Sequence, residues 1–179
     1  MKRKIIAGGL LILAAVFSTN LGLAQQEKAS APGGIASPSA AEKGLRAASD
    51  QFYAALNAMF TGDLAPMNAI WSHGDDVTDM GPFGGRLTGW KEVGAEFAKE
   101  AGMKLGGRVA CSDVIVRVGG DMGYTVCVEQ GENMSADGKP VAVRFRATNV
   151  FRLINGEWKM VHHHTDISSQ LEAATGIAK

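Results

Sequence analysis

Three of the chain's four histidines, His162, His163 and His164, stand side by side in Glu157-Trp158-Lys159-Met160-Val161-His162-His163-His164-Thr165-Asp166, directly behind Asn155-Gly156. Apolar and β-branched residues flank that pair on both sides, the pattern of a hairpin closed by a two-residue turn. Strand alternation predicts Trp158, Met160, His162 and His164 on one face and Lys159, Val161, His163 and Thr165 on the other. With a two-residue turn, Asn149 and Phe151 face the same way as His162 and Met160. A loop one residue longer brings Arg146 and Thr148 there instead. An imidazole titrates near neutrality, so either arrangement suits general acid or base work.

A second group, His73, Asp75, Asp76 and Asp79, lies just before or on a short strand. A carboxylate pressed against Trp71, Phe83 and Trp90 has its pKa raised by desolvation, and beside an imidazole it makes an acid/base pair. The sequence therefore offers His164, His162, Asp79 and Asp76 as catalytic candidates. The pocket around them would be lined by Trp71, His73, Asp75, Phe83, Trp90, Arg146, Asn149 and Trp158. Blander roles stay open: one histidine in the core, one in a subunit interface and one exposed, with Asp75 or Asp76 capping local N–H groups in a solvated turn. His162-x-His164 with His73 and an aspartate could also supply zinc ligands, but no short-spaced Cys or His pair accompanies them, so no metal is expected. No nucleophile elbow, phosphate loop or dinucleotide fingerprint occurs, and no cofactor is expected.

The elements that must position these residues follow an N-terminal leader. Met1-Lys2-Arg3-Lys4, the uncharged run Ile5 to Phe17 and the small-residue site Gly22-Leu23-Ala24 read as a secretory signal peptide, residues 1–24, cut after Ala24. The alternative is an uncleaved anchor. Residues 25–39 read as a flexible linker, 40–168 as one domain and 169–179 as a C-terminal tail. The expected location is periplasmic or secreted, with no membrane attachment after cleavage. With 18 basic and 18 acidic residues the net charge is zero, which argues against nucleic acid as a partner.

Ser39-Ala40-Ala41-Glu42 is a capping box opening a helix over residues 40 to 61. A short helix is predicted from Leu64 to Trp71 with Asp63 as N-cap, a brief strand at Val77 to Met80, and a third helix capped by Thr88 and ending near Gly102. Four long antiparallel strands then follow: Val109 to Val118, Gly123 to Asn133, Pro140 to Leu153 and Glu157 to Asp166. Helices first and a curved meander afterwards predict an α+β fold whose helices fill the concave side of the sheet. If Gly120-Asp121 is a two-residue turn, Cys111 lies opposite Gln130 and Cys127 opposite Val114. That register puts the thiols on opposite faces, too far apart to bridge.

Trp71-Ser72-His73-Gly74-Asp75-Asp76-Val77-Thr78-Asp79-Met80-Gly81-Pro82, then Gly89-Trp90, then Arg146-x-Thr148-x-Val150-Phe151 and Gly156-x-Trp158-Lys159-x-Val161-His162-x-His164, carry a resemblance. Together they resemble the SnoaL-like branch of the nuclear transport factor 2-like superfamily, and the ending is similar to the association domain of calcium/calmodulin-dependent kinase II. The resemblance implies a cone-shaped, cystatin-like α+β barrel, a curved antiparallel sheet wrapped around N-terminal helices, and a homodimer through the outer sheet face. It names no reaction, because one fold hosts many. The sequence thus describes an exported domain whose apolar pocket binds a small organic molecule. The alternative is a cofactor-independent isomerase, dehydratase or hydrolase working through a His/Asp pair.

Overall fold

The computed structural model describes residues 37–82, 84–136 and 139–174, within a unit spanning Ser37–Lys179. The expected signal peptide, the linker before Ser37, Phe83 and residues 175–179 of the tail lie outside the described residues. Helix α1 spans Ala40–Met59 and starts at the capping box: Glu42 N–H donates to Ser39 Oγ at 3.1 Å, and Ser39 N–H donates to Glu42 Oε2 at 2.7 Å. Helix α2 spans Ala65–Ile70 with Leu64 at its N-cap, while Asp63 instead accepts the Ala65 N–H at 3.1 Å. Strands β1 (Thr78–Met80) and β2 (Leu87–Thr88) precede α3, Trp90–Met103. Gly89, not Thr88, caps α3, at φ 79°, a backbone shape that glycine adopts without penalty. The long strands are β3 (Arg108–Gly119), β4 (Met122–Ala136), β5 (Lys139–Ile154) and β6 (Glu157–Ile167), and the expected tail opens with helix α4, Ser169–Ala174.

The sheet runs β2-β1-β6-β5-β4-β3 and is antiparallel except where β1 lies parallel to β6. No helix among the described residues is long and apolar enough to cross a membrane. On the inner face Gly123, Thr125, Cys127 and Glu129 of β4 sit opposite Phe151, Asn149, Ala147 and Phe145 of β5. Leu45, Phe52, Tyr53 and Met59 of α1 are buried in the core with Phe151 and Met160. Each such Phe or Met contributes roughly 1.5–3 kcal/mol on burial. The helix approaches closely at Gly123, where a Cβ would stand 2.6 Å from Leu45 Cδ2.

Bulges, absent from the strict alternation expected above, reset which residues face inward. An extra residue in one strand of a pair shifts the phase of everything beyond it. In β3 the break lies between Ser112 and Ile115, with Asp113 at φ 55°. It leaves Cys111 opposite Glu129 rather than Gln130, on the same inner face as Cys127, which corrects the expected opposite faces, while both cysteines are free, as expected. In β6 the break follows Phe151↔Met160, and the next pair is Val150↔His162, so Val161 is the extra residue.

Candidate functional site

The bulge at Val161 decides the site. The Asn155-Gly156 turn forms as expected, with Ile154 opposite Glu157, and Asn149, Phe151 and Met160 do face inward together. Both Met160 and Val161 are buried, however, so the next inward residue is His163 rather than His162. His162 and His164 lie on the outer face, opposite Val150 and Thr148, where Thr78 Oγ1 lies 2.7 Å from His162 Nδ1. The structure therefore does not bring His162 and His164 into one cavity with an aspartate, and the expected pairing is corrected to its neighbour.

His163 is 9% exposed and packs its ring 5.2 Å from that of Phe52. Asn149 Nδ2 donates to the Tyr53 hydroxyl at 3.0 Å and to Thr125 Oγ1 at 3.4 Å, which turns Asn149 Oδ1 toward His163 Nδ1 at 2.7 Å. A carbonyl oxygen only accepts, so Nδ1 of His163 carries the proton and Nε2 keeps its lone pair. Burial pushes this imidazole down to about 3, and His162 and His164 push in the same direction, so it is neutral at physiological pH. The Tyr53 hydroxyl donates to Glu129 Oε1 at 3.0 Å and lies 3.1 Å from Cys127 Sγ. Burial pushes Glu129 up to about 8. Helix α1 and strands β4, β5 and β6 each contribute to this hydrogen-bonded chain.

Asp79 is the ladder partner of His163, on strands roughly 4.8 Å apart. It is 6% exposed, and its Oδ1 has no hydrogen-bond partner. Burial, reinforced by the charge of Glu96, pushes its carboxyl up to about 7 against the pull of the Gly81 N–H. Glu100 of α3 is likewise pushed up to about 7 by burial and by Asp79. The Trp71 Nε1 and Thr165 Oγ1 atoms are also buried without partners. A buried polar atom without a partner costs about 1–3 kcal/mol, and a ligand that supplies the missing bond recovers it.

The remaining candidates lie elsewhere. Trp71 is buried, bridges to Met160 and meets Phe97 edge-on at 5.3 Å. Asp75 and Asp76 are exposed, and Asp76 accepts from Arg152 at 2.7 Å, which holds its carboxyl below the usual range. His73 is exposed, stacks on Trp90 at 4.1 Å and donates through Nε2 to Asn68 O at 2.9 Å. Together with Leu64, Lys91 and Gly94 they line a depression of about 280 Å³. Trp158 lies over Gly44 of α1 and lines a separate groove of about 670 Å³ with Ala47, Gln51, Pro66 and Ala69. Arg146 makes a two-pronged ion pair with Asp166, facing out. Among the described residues no group of three or more His, Cys, Asp or Glu could hold a metal ion.

Sequence reasoning missed Tyr53, Glu129, Glu100 and the inward turn of His163. The adjacent apolar pair Met160-Val161, where alternation calls for one, is the trace that marked the bulge.

Residues 45–168 match the SnoaL-like domain family. Among solved structures, a Streptomyces avermitilis protein described as a candidate dehydratase of the nuclear transport factor 2-like family is 27% identical, with 72% of this chain and 96% of that one covered and a TM-score of 0.61. A Thiobacillus denitrificans protein described as a candidate calcium/calmodulin-dependent kinase II association domain is 28% identical, with 69% and 94% covered and a TM-score of 0.56. A Caulobacter vibrioides protein with a cystatin-like fold shares 14% identity over 74% of this chain and 93% of that one, at a TM-score of 0.60, and is similar in fold. No curated protein matches.

Proposed function

This chain belongs to the SnoaL-like domain family, and we propose that it is an exported, cofactor-independent acid/base enzyme that moves a proton on a small organic molecule, as an isomerase or dehydratase does. The observation that carries the reading is Asp79: a buried carboxyl near pKa 7 with an unpartnered oxygen, beside a neutral imidazole fixed by Asn149. A group that titrates near the working pH is the most effective proton carrier. In this reading Asp79 takes the substrate proton and His163 positions it. The Tyr53 hydroxyl, whose proton goes to Glu129, accepts from Asn149 and so helps to hold the amide that fixes His163. The likeness to the candidate dehydratase supports the class of reaction.

The same reading includes a homodimer through the outer face, where Ile115, Met122 and Tyr124 are 47%, 39% and 43% exposed. Likeness to an association domain supports it. Export rests on the leader sequence, and a mature protein that begins near Gln25 by mass spectrometry is the expected result.

The test is a panel of small hydroxy and carbonyl compounds followed by NMR for proton exchange or loss of water. Asp79→Asn is expected to lower turnover about 10²- to 10⁴-fold with the fold intact. Saturable binding without turnover by the wild-type protein would replace the enzyme with a ligand-binding module, a reading that the 670 Å³ groove would then serve.

A further inference from the structure

The proton-transfer chemistry above leaves Cys111 and Cys127 unused. Both are free thiols, Cys127 is 7% exposed and Cys111 is half-buried. The β3 bulge sets Cys111 opposite Glu129, and Cys127 is the adjacent inward-facing residue of β4. The two sulfurs therefore share one face of two neighbouring strands at diagonal positions, and each thiol is near enough to act on the proton of the other. The Tyr53 hydroxyl, 3.1 Å from Cys127 Sγ, closes the cluster.

We propose that Cys111 and Cys127 form a redox-active dithiol, oxidised to an intramolecular disulfide by exchange with a low-molecular-weight disulfide. The proposal is independent of the acid/base reading. The thiolate of Cys111 attacks one sulfur of the oxidant R′S–SR′, the S–S bond breaks, and R′S⁻ leaves and takes up a proton. Cys127 sulfur then attacks the Cys111 sulfur of the mixed disulfide, and its proton goes with the second R′S⁻ that departs. In sum, two protein thiols are oxidised to one disulfide and R′SSR′ is reduced to two R′SH. Cys111 is the attacking residue because it is the more exposed thiol. The neighbouring Cys127 thiol also holds Cys111 below its usual range, while Cys111 and burial push Cys127 up. A bond between them would replace the contact of Cys127 with Tyr53, so the redox state would reach the centre of the buried chain.

The test incubates the full native chain with glutathione disulfide at about pH 8, where a cysteine thiol near its ordinary pKa is partly ionised. After acid quench the chain is unfolded, alkylated and mapped by mass spectrometry. The expected result is loss of alkylation at both cysteines and a linked 111–127 peptide, formed faster in the native chain than in urea. Cys127→Ser is expected to trap a glutathione adduct on Cys111, and Cys111→Ser to leave Cys127 unmodified. Full alkylation of both cysteines in the wild type would overturn the proposal. So would a link that forms no faster in the folded chain, or one found only between chains. The wild-type experiment decides even if a variant fails to fold.

Discussion

His163 and its flanking neighbours occupy one strand and live in opposite surroundings. Its ring lies in the core against Phe52, with Nδ1 committed to Asn149, while His162 and His164 stand on the outer face, their rings 6.3 Å apart. One inserted residue, Val161, separates the two outcomes. The inner face consequently holds polar groups whose protons are displaced from ordinary pH by burial. On the outer face, ion pairs such as Arg146–Asp166 leave both partners half open to water. Substitutions that look equivalent in the sequence should therefore differ sharply in effect.

The largest contrast is between Val161 and Val150. Val161 is 6% exposed at the bulge, so Val161→Lys buries an unpaired charge and is expected to unfold the domain. Val150 pairs with His162 on the outer face, and Val150→Lys is expected to keep the circular dichroism spectrum while weakening self-association in sedimentation. Dissociation by Val161→Lys with the fold retained would restore the strict alternation that the bulge breaks.

Next comes the histidine comparison itself. His163→Ala removes a packed ring and strands the Asn149 carbonyl, which should cost about 2–5 kcal/mol in urea unfolding. His164→Ala is expected to change stability by less than about 1 kcal/mol in the monomer. The pH dependence sharpens the point. Because the folded state holds His163 down to about 3, its contribution is fully present above the unfolded value near 6.5 and is lost as pH falls through that window toward 3. His163→Gln should flatten that acid limb.

Asp79 acts with the opposite sign. Its carboxyl is pushed up to about 7 from an ordinary 3.8, so the folded state binds the extra proton between those values. Stability must then fall as pH rises through that window, with the full cost above about pH 7. Asp79→Asn is therefore expected to stabilise the protein at pH 8, by something on the order of 1–4 kcal/mol, and to change little at pH 4. The same variant should lose activity, so a gain in stability coupled to a loss of function is the signature of a carboxyl kept buried for its chemistry. Equal effects at both pH values would show that Asp79 titrates normally.

What the sequence disclosed and what it concealed divides along the same line. The α1 capping box and the Asn155-Gly156 turn are contained within a few residues, so their chemistry is complete in the local sequence. The bulges answer to the fit of one whole strand against another. Asp113 and Asn133, at φ 55° beside the register breaks of β3 and β4, carry residue types that tolerate this backbone without announcing it. The inner alternation Thr125, Cys127, Glu129 was present in the sequence, yet only the contact with Tyr53 from α1 shows that a carboxyl there is buried rather than exposed. Asp79 was a candidate from the start, but the histidine beside it was assigned one position away.

The smallest effect belongs to Asp76, which the sequence placed on a par with Asp79. Its side chain is 55% exposed and its partner Arg152 is 37% exposed, so water and salt screen the 2.7 Å contact. The carboxyl is held low by the Arg152 guanidinium, so the pair is intact above the unfolded carboxyl pKa and is lost as pH falls below it. Exposed pairs of this kind contribute roughly 0–1 kcal/mol. Asp76→Asn is therefore expected to shift urea stability at pH 7 by less than about 1 kcal/mol, to shrink further in high salt and to leave turnover unchanged. A loss of activity comparable with that of Asp79→Asn would move the working carboxylate to the outer loop and dissolve the distinction between the two faces.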